Sequence, residues 1–245
     1  MIPKIIHYCW FGKKPLPEIT LKCIESWKKY CPDYQITEWN ESNFNIKKND
    51  YISEAYNQGK YAFVADYARF EILYANGGIY LDTDVELIKN IDIFLPQKVF
   101  FGREEIDKVN PGLIMGAEKG NPFLKQMILL YNSIEFNMND PKFKNVVEYT
   151  SEMLLTRGWK PVNKIQRLEN IVIYPIDYFA PKDYLTGKIN ITQNTYSIHH
   201  YDQSWISNES KRLHFLVEKY TSIFGVFCGG KIARLVFEIE KRVKK

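Results

Sequence analysis

The chain has 245 residues, of which 45% are hydrophobic and 25% charged, with a formal net charge of +4. That length fits one large α/β domain or one domain with small additions, and the composition argues for a sizeable packed core and against disorder. Lys and Arg are scattered rather than interleaved with aromatics in a stripe, which argues against a nucleic-acid partner.

Cys9, Cys23, Cys31 and Cys228 form no C-x-x-C pair, so neither a zinc knuckle nor a disulfide framework is expected. Reduced thiols and a cytoplasmic location are the simpler expectation. Met1-Ile2-Pro3-Lys4 leads straight into a strand-like run rather than a secretory signal, and no apolar stretch reaches the ~18–20 residues that cross a bilayer.

Lys4 to Trp10 reads as a buried strand, closed by Gly12, Pro15 and Pro17. Glu18 to Tyr30 follows as a helix, with Ile19, Cys23, Ile24 and Trp27 at helical spacing. Cys31-Pro32-Asp33 turns the chain into a second strand, Tyr34 to Trp39. After a polar loop, Tyr61 to Ala75 is a helix stopped by Asn76-Gly77-Gly78. Short strands are expected at Ile79–Leu81, Val85–Ile88, Val99–Gly102 and Leu113–Ala117, then helices over Pro122–Phe136 and Phe143–Thr156. Ile171–Tyr174 and Tyr196–Tyr201 return to strand, and the last 35 residues read as helix broken at Gly229-Gly230. This alternation predicts an α/β fold with a parallel or mixed central sheet, whose ligands collect beyond the carboxyl ends of the strands.

One such end carries Gly77-Gly78-Ile79-Tyr80-Leu81-Asp82-Thr83-Asp84. Residues two apart in extended backbone face the same side, so Tyr80, Asp82 and Asp84 share one face while Ile79 and Leu81 turn to the core. Two carboxylates there suit a hard cation such as Mn²⁺ or Mg²⁺ that keeps coordination sites for phosphate. A bare D-x-D is weak by itself, since polar loops after strands are common. Asp66 and Arg69, three apart, share a helix face among Phe63, Ala65, Phe70, Leu73 and Tyr74. An intrahelical ion pair is one reading of them, and partners for a sugar's hydroxyls the other. Far downstream, His199-His200 offers one metal ligand, because neighbours in a strand face opposite ways; a structural histidine is the alternative. Ser204 and Trp205 offer a hydroxyl and an indole N–H for phosphate oxygens, unless Trp205 is simply core.

Together these residues resemble the glycosyltransferase family whose sugar-binding region carries a D-x-D motif, which includes capsular-polysaccharide transferases and, more distantly, the clostridial glucosylating toxins. The resemblance runs from Ile2-Pro3-Lys4-Ile5-Ile6-His7-Tyr8-Cys9-Trp10 through Ala65-Asp66-Tyr67-Ala68-Arg69 and the Asp82/Asp84 segment to His199-His200 and Ser204-Trp205. It implies a nucleotide-diphospho-sugar transferase (GT-A, Rossmann-like) fold with a mixed central sheet and C-terminal helices. The catalytic domain would span residues 1–205, and a helical extension residues 206–245, packed on it or at a membrane. The resemblance further implies that Trp10 stacks near the nucleotide base. Asp66 and Arg69 would bind the donor sugar, with Tyr80 lining the pocket. Asp82 would contact ribose and metal, and Asp84 would bind the metal directly. His200 is the chosen further metal ligand, with His199 its alternative. Ser204 and Trp205 would hold the diphosphate, and Asn110 would face sugar or acceptor.

The implied reaction retains configuration, moving a sugar from a nucleotide donor, a UDP-sugar by preference, to an oligosaccharide or lipid-linked saccharide acceptor in surface-polysaccharide synthesis. A sugar-nucleotide hydrolase or nucleotidyltransferase is the first rival; the loop Phe11-Gly12-Lys13-Lys14-Pro15 is short for a triphosphate. A non-catalytic carbohydrate-binding relative is the second. Ile232, Leu235, Val236, Ile239 and Val243 follow helical spacing among basic residues, which suits either a peripheral membrane contact or a surface helix on the domain.

Overall fold

The computed structural model describes residues 1–202 and 208–243. Strand β1 (Ile5–Cys9) leads to helix α1 (Glu18–Tyr30), which starts after the extended Pro17 with Glu18 in its first turn and ends with Lys28 and Lys29 in its last. Those charges complement the helix dipole at both ends. Its buried face, Thr20, Cys23, Ile24 and Trp27, repeats at helical spacing. Strand β2 (Gln35–Trp39) then pairs in parallel with β1.

The segment expected as a polar loop contains helix α2 (Asp50–Asn57). Its signal is short: Asn49 caps it by accepting from the Ile52 amide, and only Tyr51, Ile52 and Ala55 are buried. Helix α3 (Tyr61–Asn76) is buried on nearly every side from Phe63 to Phe70, so it runs through the interior rather than along the surface. Gly77 ends it at φ 70°, with its amide donating to the Leu73 carbonyl.

Strand β3 (Gly78–Tyr80) follows at once, then β4 (Val85–Leu87). A tight turn at Asp92–Phe94 precedes β5 (Val99–Glu105) and β6 (Lys108–Ala117), an antiparallel hairpin longer than the two short strands expected. Helices α4 (Pro122–Asn132) and α5 (Val146–Leu155) stop short of the expected bounds. Asn121 and Asn145 cap them, the latter in a reciprocal capping box with Glu148. Strands β7 (Gln166–Leu168) and β8 (Ile171–Tyr174), the short helix α6 (Ile176–Phe179), strand β9 (Ser197–His199) and helix α7 (Asn208–Val243) complete the chain. Helix α7 is interrupted at Gly225, which has the non-helical pair φ 75° and ψ 165°, not at Gly229-Gly230. Any of the three glycines permits such a break, and composition cannot choose among them.

Seven strands form one mixed sheet in the order β2-β1-β3-β6-β5-β8-β7, as an α/β chain with a mixed sheet requires. Strands β2, β1 and β3 run parallel, and β6 is antiparallel to β3 and β5. Side chains alternate across it: Tyr80 joins the apolar cluster containing α3, while Ile79 and Leu81 join the cluster beneath α1. Strands β4 and β9 form a separate two-stranded ladder. Helix α1 fixes β4: the Trp27 indole N–H donates to the Val85 carbonyl at 2.7 Å, and Ser26 Oγ accepts from the Leu87 amide at 2.9 Å. Among the described residues, no helix is long and apolar enough to cross a membrane. The four cysteines are free thiols, three of them buried.

Candidate active site

The site begins with the glycine pair before β3. His7, in the middle of β1, bonds through Nε2 to the Gly77 carbonyl at 3.0 Å, and its Nδ1 accepts from the Trp39 indole at 3.0 Å. A carbonyl only accepts and an indole only donates, so the ring is neutral with its proton on Nε2. Burial agrees, pushing its pKa down to about 4. Gly78 lies against this relay: a Cβ there would sit 2.8 Å from His7 Nε2 and from the Ile5 carbonyl. The glycine pair therefore lets β3 close onto β1 and aims the chain that leaves β3.

That chain delivers Asp82 and Asp84 to a cleft of about 1270 Å³ beyond the carboxyl ends of β1 and β3. Trp10, Asp66, Arg69 and Tyr80 line it, as do Asn110 and His199. Carboxylates outnumber Lys and Arg along this lining, although the whole chain is net positive. His200 is not part of the lining, and Ser204 and Trp205 lie outside the described residues.

Asp66 and Arg69 do form an ion pair, Nη2 to Oδ1 at 2.9 Å, but the pair is not isolated. The same Nη2 reaches Asp82 Oδ1 at 3.1 Å, Arg69 Nε donates to the Ala65 carbonyl, and the guanidinium lies 4.8 Å above the Tyr80 ring. Burial works against the Arg69 charge, yet Asp82, Tyr80 and Asp66 outweigh it and hold its pKa above the ordinary value. Burial pushes the Asp66 carboxyl up to about 7, with Arg69 opposing and Asp82 adding. Gly112 on β6 makes room for this group: its carbonyl accepts from the Asp82 amide, and a Cβ there would sit 1.9 Å from Asp82 Oδ2. Asn110 holds that strand turn, its Oδ1 accepting from the Gly112 amide at 2.7 Å.

Asp84 is gripped by the segment after β9. His199 Nε2 lies 3.2 Å from Asp84 Oδ1, the Asp202 amide donates to Oδ2 at 2.8 Å, and the His200 amide donates to the Asp84 carbonyl. Tyr201 takes a positive φ of 57°, uncommon for a non-glycine residue, which carries the chain around the carboxylate. Burial raises the Asp84 pKa, but His199 and the backbone donors prevail and hold it at about 2. Burial likewise lowers that of His199, while Asp84, Glu104 and Asp82 lift it to about 9.

Of the two histidines it is His199, the alternative rather than the first choice, that lies against Asp84, while His200 turns to Glu86 at 2.8 Å. Trp10 sits at the cleft's edge, its indole N–H donating to the Lys14 carbonyl. Glu104, at the end of β5, enters the site without any sequence motif; its Oε1 accepts from Asn110 Nδ2 at 3.2 Å. A weak signal exists, for charges follow an apolar strand there as they do at Asp82. Among the described residues, no three His, Cys, Asp or Glu side chains stand as a preformed metal cage.

Residues 17–101 match the family described as the glycosyltransferase sugar-binding region containing a DXD motif. Inositol phosphoceramide mannosyltransferase 3 of Schizosaccharomyces pombe is 31% identical over 172 residues, 69% of this chain and 48% of the relative. The chain thus spans about half the length of that relative. A glycosyltransferase of Acanthamoeba polyphaga mimivirus, L373, is 28% identical over 75% of this chain and 77% of its own length. Among solved structures, the PaToxG glycosyltransferase superposes on 63% of this chain and 69% of its own, with a TM-score of 0.52 and 21% identity, a likeness of fold.

Proposed function

Since residues 17–101 carry the DXD-containing sugar-binding region of glycosyltransferases, we propose that the chain transfers a sugar from a nucleotide-diphosphate donor to a saccharide-bearing acceptor. The observation that carries this reading is the convergence of Asp66, Arg69 and Asp82 with Asp84 and His199 in one acidic cleft. A purely structural ion pair has no need of such company.

Within this reading, Asp66 and Arg69 bind the donor sugar's hydroxyls, and Trp10 borders the base. Asn110 faces the sugar or acceptor, and Ser204 and Trp205 hold the diphosphate. Arg69 is a fixed, preorganised charge, because its carboxylate and ring partners leave it little freedom to turn away. Asp82, Asp84 and His199 are the residues that would hold Mn²⁺ or Mg²⁺. The donor chemistry fits such an ion, which takes few protein oxygens and completes its shell from phosphate and water. The carboxylates around His199, Asp84 and Glu104, set the same negative potential. A bound divalent cation supplies Lewis-acid neutralisation of charge on the leaving diphosphate.

Asp66 is committed to Arg69 on a buried helix face, which favours a sugar-binding role over attack on the anomeric carbon. Retention is what the resemblance implies, and with Asp66 so engaged the route is front-face attack, with the leaving phosphate taking the acceptor's proton. Mass spectrometry that trapped an Asp66–sugar adduct would overturn this route. The acceptor is an oligosaccharide or a lipid-linked saccharide of a surface polysaccharide, met in the cytoplasm or peripherally at the membrane through the basic C-terminal helix. A relative named for a phosphoceramide substrate supports the lipid-linked form. A UDP-sugar remains the preferred donor, with a mannose donor as the competing arm because that relative is a mannosyltransferase. A panel of nucleotide sugars, each with and without Mn²⁺, decides between them: metal-dependent release of UDP or GDP on adding acceptor is expected. Release that ignores acceptor would leave the hydrolase reading instead.

A further inference from the structure

We propose that Glu104 is a positioning residue that orients His199 toward the cation of the Asp82–Asp84 site. The inference rests on the metal reading above and adds to it a carboxylate outside every motif.

The imidazole of His199 is held on three sides. Its Nε2 faces Asp84, and the Tyr201 ring covers it with centroids 4.2 Å apart. On the third side, Nδ1 points to Glu104 Oε1 at 3.8 Å. That nitrogen is buried and has no hydrogen-bond partner among the described residues. The facing carboxylate is itself held in place: Asn110 donates to it at 3.2 Å and is fixed in turn by the Gly112 amide. The cations beside Glu104 in sequence are engaged elsewhere: Arg103 donates to the Ile106 and Lys160 carbonyls, and Lys108 pairs with Glu105 at 2.9 Å.

An imidazole that gives one nitrogen to a metal carries its proton on the other. A buried N–H of that kind needs an acceptor, and a carboxylate there fixes the ring's tautomer and raises its basicity as a ligand. Glu104 stands less than an ångström beyond hydrogen-bond reach of that nitrogen. A small turn of the ring closes the gap and aims Nε2 at the space between Asp82 and Asp84.

The test uses the full chain with UDP present and reads Mn²⁺ affinity by calorimetry or by electron paramagnetic resonance, so no turnover is required. Glu104→Ala is expected to weaken Mn²⁺ binding about 10- to 100-fold, as loss of such outer-sphere partners does. Lost turnover should return as Mn²⁺ is raised. Glu104→Gln, which keeps an accepting oxygen in a side chain of the same shape, should lose less, and thermal melting checks that both variants fold. In a His199→Ala background, Glu104→Ala should add no further loss; a purely structural role would still add its own. Unchanged Mn²⁺ affinity in Glu104→Ala beside a normal wild type overturns the proposal and leaves the metal reading standing. Absence of Mn²⁺ binding by the wild type overturns both.

Discussion

Asp82 and Asp84 are two residues apart, yet the protein holds them by different means. Asp82 is framed by the interior: the buried helix α3 supplies Arg69 and Asp66, β6 supplies the Gly112 carbonyl, and the His7 relay sets the strand before it. Asp84 is framed by a two-stranded ladder and a hook of chain from His199 to Asp202. The first half is specified by the main core and by groups whose burial leaves them no alternative partner. The second depends on N–H donors from a distant segment, His199 and the Asp202 amide, which a ligand's oxygens could also meet. The Asp82 half is therefore fixed before any ligand arrives, and the Asp84 half is the adjustable one.

Removing one partner from each half tests that contrast most strongly. Arg69→Ala leaves Asp66 and Asp82 facing each other without their cation, and should cost about 3–5 kcal/mol of stability as well as activity. Asp84→Ala should cut metal-dependent turnover by at least ~10²-fold while costing less stability than Arg69→Ala. Thermal melts beside nucleotide-release assays read both effects. Equal destabilisation by the two substitutions would erase the distinction between the halves.

Gly112→Ala sharpens the same point without removing a charge. Its Cβ would meet Asp82 Oδ2 at 1.9 Å, so the carboxylate must move. A displacement of this order is expected to lower kcat/KM by about 10²-fold with the fold kept. Normal kinetics would show that Asp82 is not held as rigidly as the geometry says.

The two halves also differ in how far the sequence exposes them. Helical spacing brings Asp66 beside Arg69, a local rule the structure obeys. Strand alternation accounts for Tyr80 alone: β3 ends there, and a turn closed by the Val85 amide on the Asp82 carbonyl brings Asp82, Thr83 and Asp84 all to the cleft. Glu104 is brought in by β5–β6 pairing with register shifts at Phe101/Gly102 and Arg103/Glu105, which no local pattern encodes. Which of His199 and His200 meets Asp84 depends on how β9 and the chain after it fold onto the turn before β4, contacts between segments more than a hundred residues apart. Helix α2 is hidden because its eight residues bury too few side chains to show a period. The position of the break in α7 is equally silent in a sequence with glycines at 225, 229 and 230.

The frame of the rigid half should be sensitive to acid through His7. Its folded pKa of about 4 lies below the ordinary 6.5, so at pH values between the two the unfolded chain binds a proton that the folded chain refuses. Stability from this group is complete above about 6.5 and is lost as pH falls toward 4, by an amount on the order of 3 kcal/mol. Urea unfolding at pH 7 and pH 5 should show the loss in the wild type and a smaller one in His7→Gln, whose amide can also donate to Gly77 and accept from Trp39. Identical pH slopes in the two proteins would remove His7 from the frame.

The smallest effect is expected at His200, and it separates the halves most finely. Its ring meets Glu86 at 2.8 Å in a partly exposed pair, the kind that contributes under about 1 kcal/mol. The link from its backbone amide to the Asp84 carbonyl survives truncation of the side chain. His200→Ala should therefore keep metal-dependent turnover within about twofold of the wild type, whereas His199→Ala should raise the Mn²⁺ concentration needed for half-maximal rate. The reverse outcome would mean that the β4–β9 ladder pairs one residue out of step, because a shift of one turns every side chain of a strand to its other face.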